Sequence, residues 1–306
     1  MVKELKKMKR NTLNDLSGAQ WLFFTNTVWE TSYAADSTHK LRKVHGAVKP
    51  PEAMAELVRF FSRRGERILD PFAGVGGILL GAELEGRRSV GVELERKWTS
   101  VFHTIKEGFV LRDGKFVRKT HEVNEQDDGA IGAEMVEECC LRYMESQEPE
   151  SFDAIITDPP YGVQHKQVFL KETNFAMSSA DRRNFGELAT FDDYFEMMGR
   201  FGKLAHDLLK PRRYLVVLVG DRYIKGEFFP LGIRLADTLR QQGFELKGIK
   251  IWWNKATLRR FRPYAIGSCF VPNITHQNVL ILRKQEKPAE KKRTKRKDGA
   301  GECSRA

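Results

Sequence analysis

The sequence predicts an α/β fold, a doubly wound, Rossmann-like sheet that carries an antiparallel hairpin at its edge. Three observations lead to this fold class. Apolar strands alternate with amphipathic helices from about residue 50 onward, a glycine-rich segment over 70–77 joins a strand to a helix, and the last two strands follow each other without a helix between them. Alternating strands and helices form parallel sheets covered on both faces, whereas a direct strand-to-strand connection favours antiparallel pairing.

The first helix of the series is predicted to begin at Pro50 and Pro51, because proline suits the first helical turn. Gly65 predicts its end, since glycine is common just past a helix C-terminus. Between them, apolar residues recur with the spacing of one helical face, at Met54, Leu57, Val58 and Phe61.

Further elements are predicted from apolar runs and turn residues. Asp113-Gly114, between alternating apolar residues, indicates a hairpin over 109–118. The continuous apolar run over 214–220 is typical of a strand covered on both faces. The other strands are expected at 67–70, 88–94, 152–157, 244–253 and 276–283, with a loop and helix over 74–84 and helices from residue 96 and at 132–145, 192–210 and 230–242.

Domain boundaries follow from this order of elements. Residues 1–45 are predicted as an N-terminal extension and 46–283 as the main domain, with loop insertions at 162–190 and 254–275. A loop is also predicted over 31–49, across the boundary between the two. Loops of that length are either functional or disordered. From residue 284 to residue 306, charged and small residues dominate, which predicts a disordered basic tail.

The charge of the chain favours a nucleic acid as its partner. The formal net charge is +11, and the tail, with nine Lys or Arg and four Asp or Glu, supplies +5 of it. The body of the protein therefore remains basic, with a net charge of +6. A basic surface of this kind suits a polyanionic partner.

Other classes of protein are disfavoured by composition. No apolar run approaches the ~18–20 residues that cross a membrane, and no signal peptide is expected, so the predicted location is cytoplasmic, at the nucleoid in a bacterial or phage protein. The four cysteines show no CxxC spacing and are predicted to be reduced thiols. The seven histidines form no HxH or HxxxH pair, so no metal site is predicted.

A nucleotide-like cofactor site is predicted where the strand at 67–70 ends. Glycines in this turn allow a ligand to approach the backbone, and an acidic residue that ends the next strand can bind both ribose hydroxyls. Asp70 would repel a pyrophosphate but suits a ligand with an amine and a sulfonium, S-adenosylmethionine. The candidate residues are Asp70, Pro71, Phe72, Ala73, Gly74, Gly76 and Glu93.

Two alternatives to this cofactor remain. The dinucleotide fingerprint G-x-G-x-x-G, which would indicate NAD and an oxidoreductase, starts at Gly74 and Gly76 but has Leu79 where its third glycine belongs. The segment is also compatible with a tight strand–helix turn that binds no ligand.

The candidate catalytic residues are four consecutive ones, Asp158, Pro159, Pro160 and Tyr161, at the end of the apolar strand over 152–157. Asp158 can accept a hydrogen bond from an exocyclic NH2 group. The Pro159 carbonyl can accept a second one, because Pro160 has no N–H. Tyr161 can stack on the face of a base. These groups suit the methylation of an exocyclic nitrogen.

Together, the two motifs resemble those of the DNA amino-methyltransferases, which methylate adenine N6 or cytosine N4. The segment 70–77 is similar to their S-adenosylmethionine loop, 90–93 to their ribose-binding strand end, and 158–161 to their catalytic DPPY motif. Residues 45–52 resemble the helix-start motif that closes over the methionine end of the cofactor, and 270–278 the end of phage- and plasmid-type members.

The resemblance implies a methyltransferase sheet that binds S-adenosylmethionine and acts on nucleic acid, with DNA favoured over RNA. It adds Lys49 and Pro50 to the cofactor residues. Asp127-Asp128 is the candidate for the acidic residue that contacts the adenine, and Asp128 is counted among the cofactor residues. Many cytosine enzymes of the family have Ser in place of Asp158, which favours adenine as the target here. The target base would leave the duplex to reach the motif.

Competing functions stay open. Cytosine N4 in DNA is one alternative to adenine. Guanine N2 in transfer RNA is another, because Asp158 to Gly162 also resembles the catalytic signature of such enzymes. The missing third glycine and the motif from Asp158 to Tyr161 disfavour an oxidoreductase, and the intact motif disfavours a DNA-binding module without catalysis. A C5-cytosine methylase is disfavoured, since no Pro-Cys pair occurs in the chain.

Basic residues in the two insertions are the candidate phosphate contacts. Phe261 and Tyr264 lie among the later ones and can stack on bases. The alternative for these residues is a solvated surface. The candidates are Lys166, Lys171, Arg182 and Arg183 in the first insertion and Lys255, Arg259, Arg260 and Arg262 in the second.

Overall fold

The structure is a computed structural model, and it describes residues 11–119, 129–161, 183–224, 226–256 and 269–286. Its helices are α1 Gly18–Phe24, α2 His39–Arg42, α3 Pro51–Phe61, α4 Gly77–Leu84, α5 Arg96–Gly108, α6 Cys140–Glu145, α7 Phe191–Leu208 and α8 Leu231–Arg240. Short 3-10 turns occupy Lys43–His45 and Phe185–Glu187.

Twelve strands are formed by the described residues. They are β1 Val28–Thr31, β2 Arg67–Asp70, β3 Arg88–Glu93, β4 Phe109–Arg112, β5 Lys115–Arg118, β6 Glu134–Glu137, β7 Phe152–Thr157, β8 Leu209–Val219, β9 Arg222–Ile224, β10 Glu227–Phe229, β11 Phe244–Asn254 and β12 Gln277–Lys284. Eight of them form one sheet in the order β1-β11-β12-β8-β7-β2-β3-β6. The pairs β4–β5 and β9–β10 are separate two-stranded ribbons.

The predicted doubly wound sheet is confirmed. Strands β8, β7, β2, β3 and β6 pair in parallel, with helices in the connections between them. Strand β12 is antiparallel both to β8 and to β11, so the predicted hairpin of the last two strands is present. The turn at Asp113-Gly114 joins β4 to β5, also as predicted.

The edge of the sheet differs from the prediction. Strand β1 pairs in parallel with β11, with Val28 opposite Ile251 and Thr31 opposite Asn254, so the hairpin lies one strand inside the edge. Part of the predicted N-terminal extension 1–45 is thus a strand of the central sheet. The Nε1 of Trp252 in β11 donates to the Oγ1 of Thr31 at 2.9 Å, a contact across 221 residues that no local pattern indicates.

Two further predictions of local structure were wrong. The stretch 132–145, predicted as one helix, contains β6 and α6. Its first residues form β6 because they pair with the edge of β3 that faces away from β2. Pairing with a neighbouring strand outweighs the helix propensity of a short segment. The stretch 31–49, predicted as a loop, contains α2 and the 3-10 turn Lys43–His45.

Helix α3 begins where predicted, with Pro50 as its N-cap and Pro51 in its first turn. Its apolar face is buried against β2, β7 and β8, and Leu57 and Val58 have no exposed surface. Burial of one such side chain contributes about 1.5–3 kcal/mol. The opposite face of the sheet is covered by α6, α7 and α8. None of the described helices is long and apolar enough to span a membrane.

This topology brings the candidate site together. Strands β2, β3 and β7 run in parallel, so Asp70, Glu93 and Asp158 all lie at the carboxyl edge of the sheet. Ligands of open α/β sheets bind at this edge. Strands β1 and β11 also end there, since β1 is parallel to β11 and β11 runs opposite to β12. The predicted tail beyond residue 286 and most of both insertions lie outside the described residues.

Candidate active site

One pocket at the carboxyl edge of the sheet contains both predicted motifs. Its wall is formed by the ends of β2, β3 and β7, by the turn before α4 and by the segment that leads into α3. The predicted residues that line it are Lys49, Asp70, Pro71, Phe72, Ala73, Gly74, Glu93, Asp158, Pro159, Pro160, Tyr161 and Arg183. Pro50 and Gly76 instead act as the N-caps of α3 and α4.

The turn into α4 requires glycine. Gly76 has a φ of +78°, which side chains of L-residues rarely adopt. A Cβ at this position would lie 2.2 Å from Cδ2 of Phe102, a fully buried ring of α5. The tight turn brings the backbone of this segment against the pocket, and the N–H of Gly74 donates to Oε2 of Glu93 at 2.9 Å.

Asp70 is a buried acid at the base of the pocket. Its Oδ1 accepts hydrogen bonds from Oγ1 of Thr157 at 2.7 Å and from the N–H of Phe72 at 3.2 Å. Burial raises the pKa of Asp70 to about 7, and the charges of Asp158 and Glu93 act in the same direction. A cationic group in the pocket would stabilise the ionised carboxylate.

Glu93 is held in a similar way at the end of β3. Its two oxygens accept from the N–H groups of Gly74 and Glu95, at 2.9 and 2.8 Å, which fixes the carboxylate. Burial raises the pKa of Glu93 to about 7. Each carboxylate oxygen has a second lone pair, so the group can still accept hydrogen bonds from two vicinal hydroxyls. The acceptor oxygens of Asp70 and Glu93 therefore fit a ligand that has an amine and a ribose.

The candidate catalytic motif is held by side chains from distant parts of the chain. The hydroxyl of Tyr161 donates to Oδ1 of Asp158 at 2.5 Å and accepts from Nε2 of Gln277 at 2.6 Å. Nη1 of Arg222 donates to the Tyr161 carbonyl at 2.8 Å. The Tyr161 ring lies on Gly220, where a Cβ would come within 3.0 Å of the ring.

Lys49 contacts the candidate catalytic motif directly. The sequence resemblance assigned it to the cofactor, but its Nζ forms an ion pair with Oδ2 of Asp158 and lies 3.3 Å from the Tyr161 hydroxyl. Both oxygens of Asp158 therefore have a partner within the protein. The carbonyl of Lys49 accepts from Nη1 of Arg42 at 2.9 Å, which anchors the segment before α3.

Two pocket residues at the end of β6 were not predicted from the sequence. Glu138 and Cys139 line the pocket, whereas the predicted adenine contact, Asp128, lies outside the described residues. Recognition of β6 as a strand would have pointed to them. A hydrogen bond from Cys140 lowers the pKa of the Cys139 thiol to about 5. His45, which also lines the pocket, packs edge-on against Trp98.

Two of the predicted phosphate contacts lie within the described residues. Arg183 is exposed at the pocket rim. Lys255 follows β11, where its Nζ pairs with Glu30 and lies 4.9 Å from the centre of the Trp253 ring. The other six, Lys166, Lys171, Arg182, Arg259, Arg260 and Arg262, lie outside the described residues. Within the described part of the chain, no cluster of three or more His, Cys, Asp or Glu residues could hold a metal ion.

Relatives of the chain include enzymes of two substrate classes. A tRNA (guanine(10)-N2)-dimethyltransferase of Methanothermobacter thermautotrophicus is 33% identical over 118 residues, 39% of this chain and 29% of that protein. The type II methyltransferase M2.DpnII of Streptococcus pneumoniae is 24% identical over 149 residues, 49% of this chain and 50% of that protein. The chain thus spans half or less of the length of these relatives.

A solved structure and a family model add to these matches. TTHA0409 of Thermus thermophilus, solved in complex with S-adenosyl-L-methionine, superposes with a TM-score of 0.32 at 19% identity and covers 49% of this chain and 54% of that one. A model of the DNA methylase family matches residues 3–103 and 152–302. Because this match covers most of the chain, the protein belongs to the family of S-adenosylmethionine-dependent DNA methylases.

Proposed function

We propose that the protein transfers a methyl group from S-adenosylmethionine to an exocyclic amine of a nucleic-acid base, with adenine N6 in DNA as the target. The observation that carries this proposal is the position of Asp158 in the same pocket as Asp70 and Glu93. A carboxylate suited to a target amine thus lies beside carboxylates suited to an amine and a ribose.

The cofactor would be held mainly by the ends of β2 and β3. S-adenosylmethionine, when bound, supplies an electrophilic methyl group on a sulfonium. Asp70 would bind its amine, Glu93 its ribose hydroxyls, and the turn from Pro71 to Gly74 would pack against it. The buried position of Asp70 strengthens its attraction to a cation, because the surrounding dielectric is low.

The chain would activate the target amine by hydrogen bonding. The lone pair of such an amine is delocalised into the ring, so the nitrogen is a weak nucleophile. Asp158 and the Pro159 carbonyl would accept its two N–H groups, which favours a pyramidal nitrogen, and Asp158 would take up or pass on the proton that the amine loses. Catalysis of this kind rests on proximity and preorganised electrostatics.

Adenine is favoured over cytosine by Asp158, where many cytosine enzymes of the family have Ser. Guanine N2 in tRNA is the second candidate function, and the specific observation in its favour is the 33% identity to a guanine(10)-N2 enzyme. The basic residues of the two insertions would contact phosphates, among them Lys255 and Arg183. A cytoplasmic location, at the nucleoid in a bacterium, accompanies this function and stays a prediction.

The proposal can be tested with methyl-labelled cofactor. Purified protein is incubated with mixed genomic DNA or with total tRNA, and the products are digested to nucleosides and separated. We expect label in N6-methyladenine from DNA. Asp158→Ala should abolish transfer and leave cofactor affinity close to wild type. Label found only in N2-methylguanine from tRNA would overturn the adenine assignment, and Asp158→Ala with normal activity would overturn the mechanism.

A further inference from the structure

The contact between Lys49 and Asp158 places a hydrogen-bond donor directly beside the predicted acceptor of the target amine. Lys49 Nζ pairs with Oδ2 of Asp158 and lies 3.3 Å from the Tyr161 hydroxyl, while that hydroxyl donates to the other oxygen, Oδ1. An ammonium group has three N–H donors and no acceptor. Among the described residues, Asp158 and Tyr161 take two of them, which leaves one for a ligand in the pocket that all three residues line.

The position of Lys49 is fixed by its backbone. Its carbonyl accepts from Nη1 of Arg42, and Arg42, which is fully buried, is itself held by Asp36 and by Oγ1 of Thr38 at 2.9 Å. The Lys49 carbonyl also lies close to Gly77, at the start of the cofactor-side helix α4, where a Cβ would come within 2.9 Å. This anchored backbone, together with the ion pair between Nζ and Asp158, keeps the donor in one place, as a recognition group requires.

We propose that Lys49 recognises the ring nitrogen next to the target amine, and this inference rests on the proposed function. The side chains of Asp158 and Lys49 present an acceptor beside a donor. The complementary edge of a base has an amine N–H beside a ring nitrogen with a lone pair. Adenine has this pair at N6 and N1, and cytosine has it at N4 and N3.

The same pair of side chains disfavours the Watson–Crick edge of guanine. There the N2 amine stands beside N1–H, so a base bound by that edge would direct a donor at the Lys49 ammonium. Two donors facing each other leave both without a partner, a mismatch that sites with fixed hydrogen-bond groups reject strongly. Lys49 therefore contributes to base specificity, in addition to its position in the cofactor pocket.

The test combines one protein substitution with one base substitution. Mixed-sequence oligonucleotides are synthesised with adenine, with 1-deazaadenine, which lacks the N1 acceptor, or with 7-deazaadenine, which keeps N1. Methyl transfer by wild type, Lys49→Met and Lys49→Arg is measured on each. The effect of 1-deazaadenine on base pairing cancels in the comparison, because all three proteins are given the same DNA.

Wild type should lose about ten- to hundredfold in kcat/KM on 1-deazaadenine, the range expected for a hydrogen bond to a charged group, and little on 7-deazaadenine. On adenine, Lys49→Met should be slower than wild type by a similar factor. The same variant should be no slower on 1-deazaadenine than on adenine. Lys49→Arg, which keeps a donor, should retain the preference for adenine. Calorimetry should show S-adenosylmethionine binding to Lys49→Met at near wild-type affinity.

Other outcomes separate the inference from the proposed function. Suppose that wild type methylates adenine, and that the loss of activity from Lys49→Met and the loss from 1-deazaadenine multiply when the two changes are combined. In that case Lys49 does not contact N1, although the proposed function stands. If Lys49→Met no longer binds S-adenosylmethionine, Lys49 belongs to the cofactor site and the inference is wrong. If wild type methylates cytosine, the same series with 3-deazacytosine, which lacks the N3 acceptor, tests whether Lys49 contacts N3. Methylation of guanine alone overturns both the target and the inference.

Discussion

The hydroxyl of Tyr161 donates to Oδ1 of Asp158 at 2.5 Å, and the same hydroxyl accepts from Nε2 of Gln277 at 2.6 Å. From the sequence, the ring face of Tyr161 was the expected functional part, as a surface for base stacking. In the structure the hydroxyl fixes one oxygen of the carboxylate that is proposed to accept the target amine. The orientation of Asp158 therefore depends on a group that a stacking role alone would not need.

Removal of that hydroxyl should reduce catalysis. We expect Tyr161→Phe to lower kcat by about 10- to 100-fold, since loss of a hydrogen bond to a charged group costs about 1.5–3 kcal/mol. Tyr161→Ala should lose, in addition, roughly 1–3 kcal/mol of base-stacking free energy. Single-turnover methylation assays measure both effects.

The matched control for this prediction is Tyr214→Phe. Tyr214 lies in β8 with its ring 5.2 Å from that of Phe61, away from the motif, so activity should not change. Cofactor affinity should be normal in all three variants. A Tyr161→Phe enzyme with wild-type kcat would show that the ring alone matters.

The local sequence was sufficient to predict the two motifs and most strands of the sheet. Asp70 to Gly77 and Asp158 to Tyr161 each lie within a few residues of a strand end, so strand prediction alone placed them at one edge. The contacts that hold them could not be predicted in this way. Lys49 meets Asp158 across 109 residues, and Gln277 meets Tyr161 across 116 residues.

Strands β1 and β6 were not predicted for the same reason, because each depends on a partner strand that is distant in the sequence. Strand β1 has only four residues, and it is stabilised by pairing with β11, more than 200 residues later. Strand β6, also four residues long, depends on β3, and because it was predicted as helix, Glu138 and Cys139 at its end were not recognised as pocket residues. Tertiary pairing decides the structure of segments too short to have a clear periodicity.

Gly76→Ala should destabilise the protein. The substitution forces a side chain into a φ of +78° and places its Cβ 2.2 Å from the Phe102 ring, which is closely packed. Backbone strain and overpacking each cost about 1–3 kcal/mol, so a loss of about 2–6 kcal/mol in the free energy of unfolding is expected. Urea denaturation measures it.

Gly108→Ala is the control for this change. Gly108 ends α5, and apart from its own helix and chain neighbours, no atom of the described residues lies within 4 Å of a Cβ built there. Its unfolding free energy should stay within about 1 kcal/mol of wild type, on the stabilising side, because alanine favours helix more than glycine does. Equal stability of Gly76→Ala and wild type would mean that the turn before α4 relaxes without cost.

Cys139 should react with iodoacetamide and be protected by the cofactor. The hydrogen bond from Cys140 lowers the Cys139 pKa to about 5, so the thiolate, which is the reactive form, dominates at neutral pH. Its position in the pocket predicts that bound S-adenosylmethionine will cover it. Peptide mass spectrometry after brief alkylation, with and without cofactor, measures the extent of labelling.

Two other thiols serve as internal controls in the same experiment. Cys269 is exposed outside the pocket and should be labelled equally in both conditions. Cys140 is buried, and its hydrogen bond to Cys139 raises its pKa, so it should remain unlabelled. Labelling of Cys139 at one rate regardless of cofactor would place the bound ligand away from the end of β6.

The affinity for S-adenosylmethionine should fall as the pH drops below about 7. Burial raises the pKa values of Asp70 and Glu93 to about 7, so both acids bind protons in the free protein at lower pH. Asp70 must lose its proton to pair with the amine of the cofactor, and Glu93 accepts from ribose hydroxyls more strongly when ionised. Binding at pH 6 should therefore release protons, and the affinity should level off above pH 7–8.

Calorimetry in buffers of different ionisation enthalpy, from about pH 5.5 to about 8.5, measures both quantities. Each acid contributes up to a tenfold change in affinity per pH unit. His45, whose pKa burial lowers to about 4, stays neutral over this range and should not contribute. Glu93→Gln should make the pH dependence shallower, whereas Asp237→Asn, an exposed acid of α8, should leave it unchanged. An affinity that is constant from pH 5.5 to 8.5 in wild type would mean that neither acid ionises when the cofactor binds.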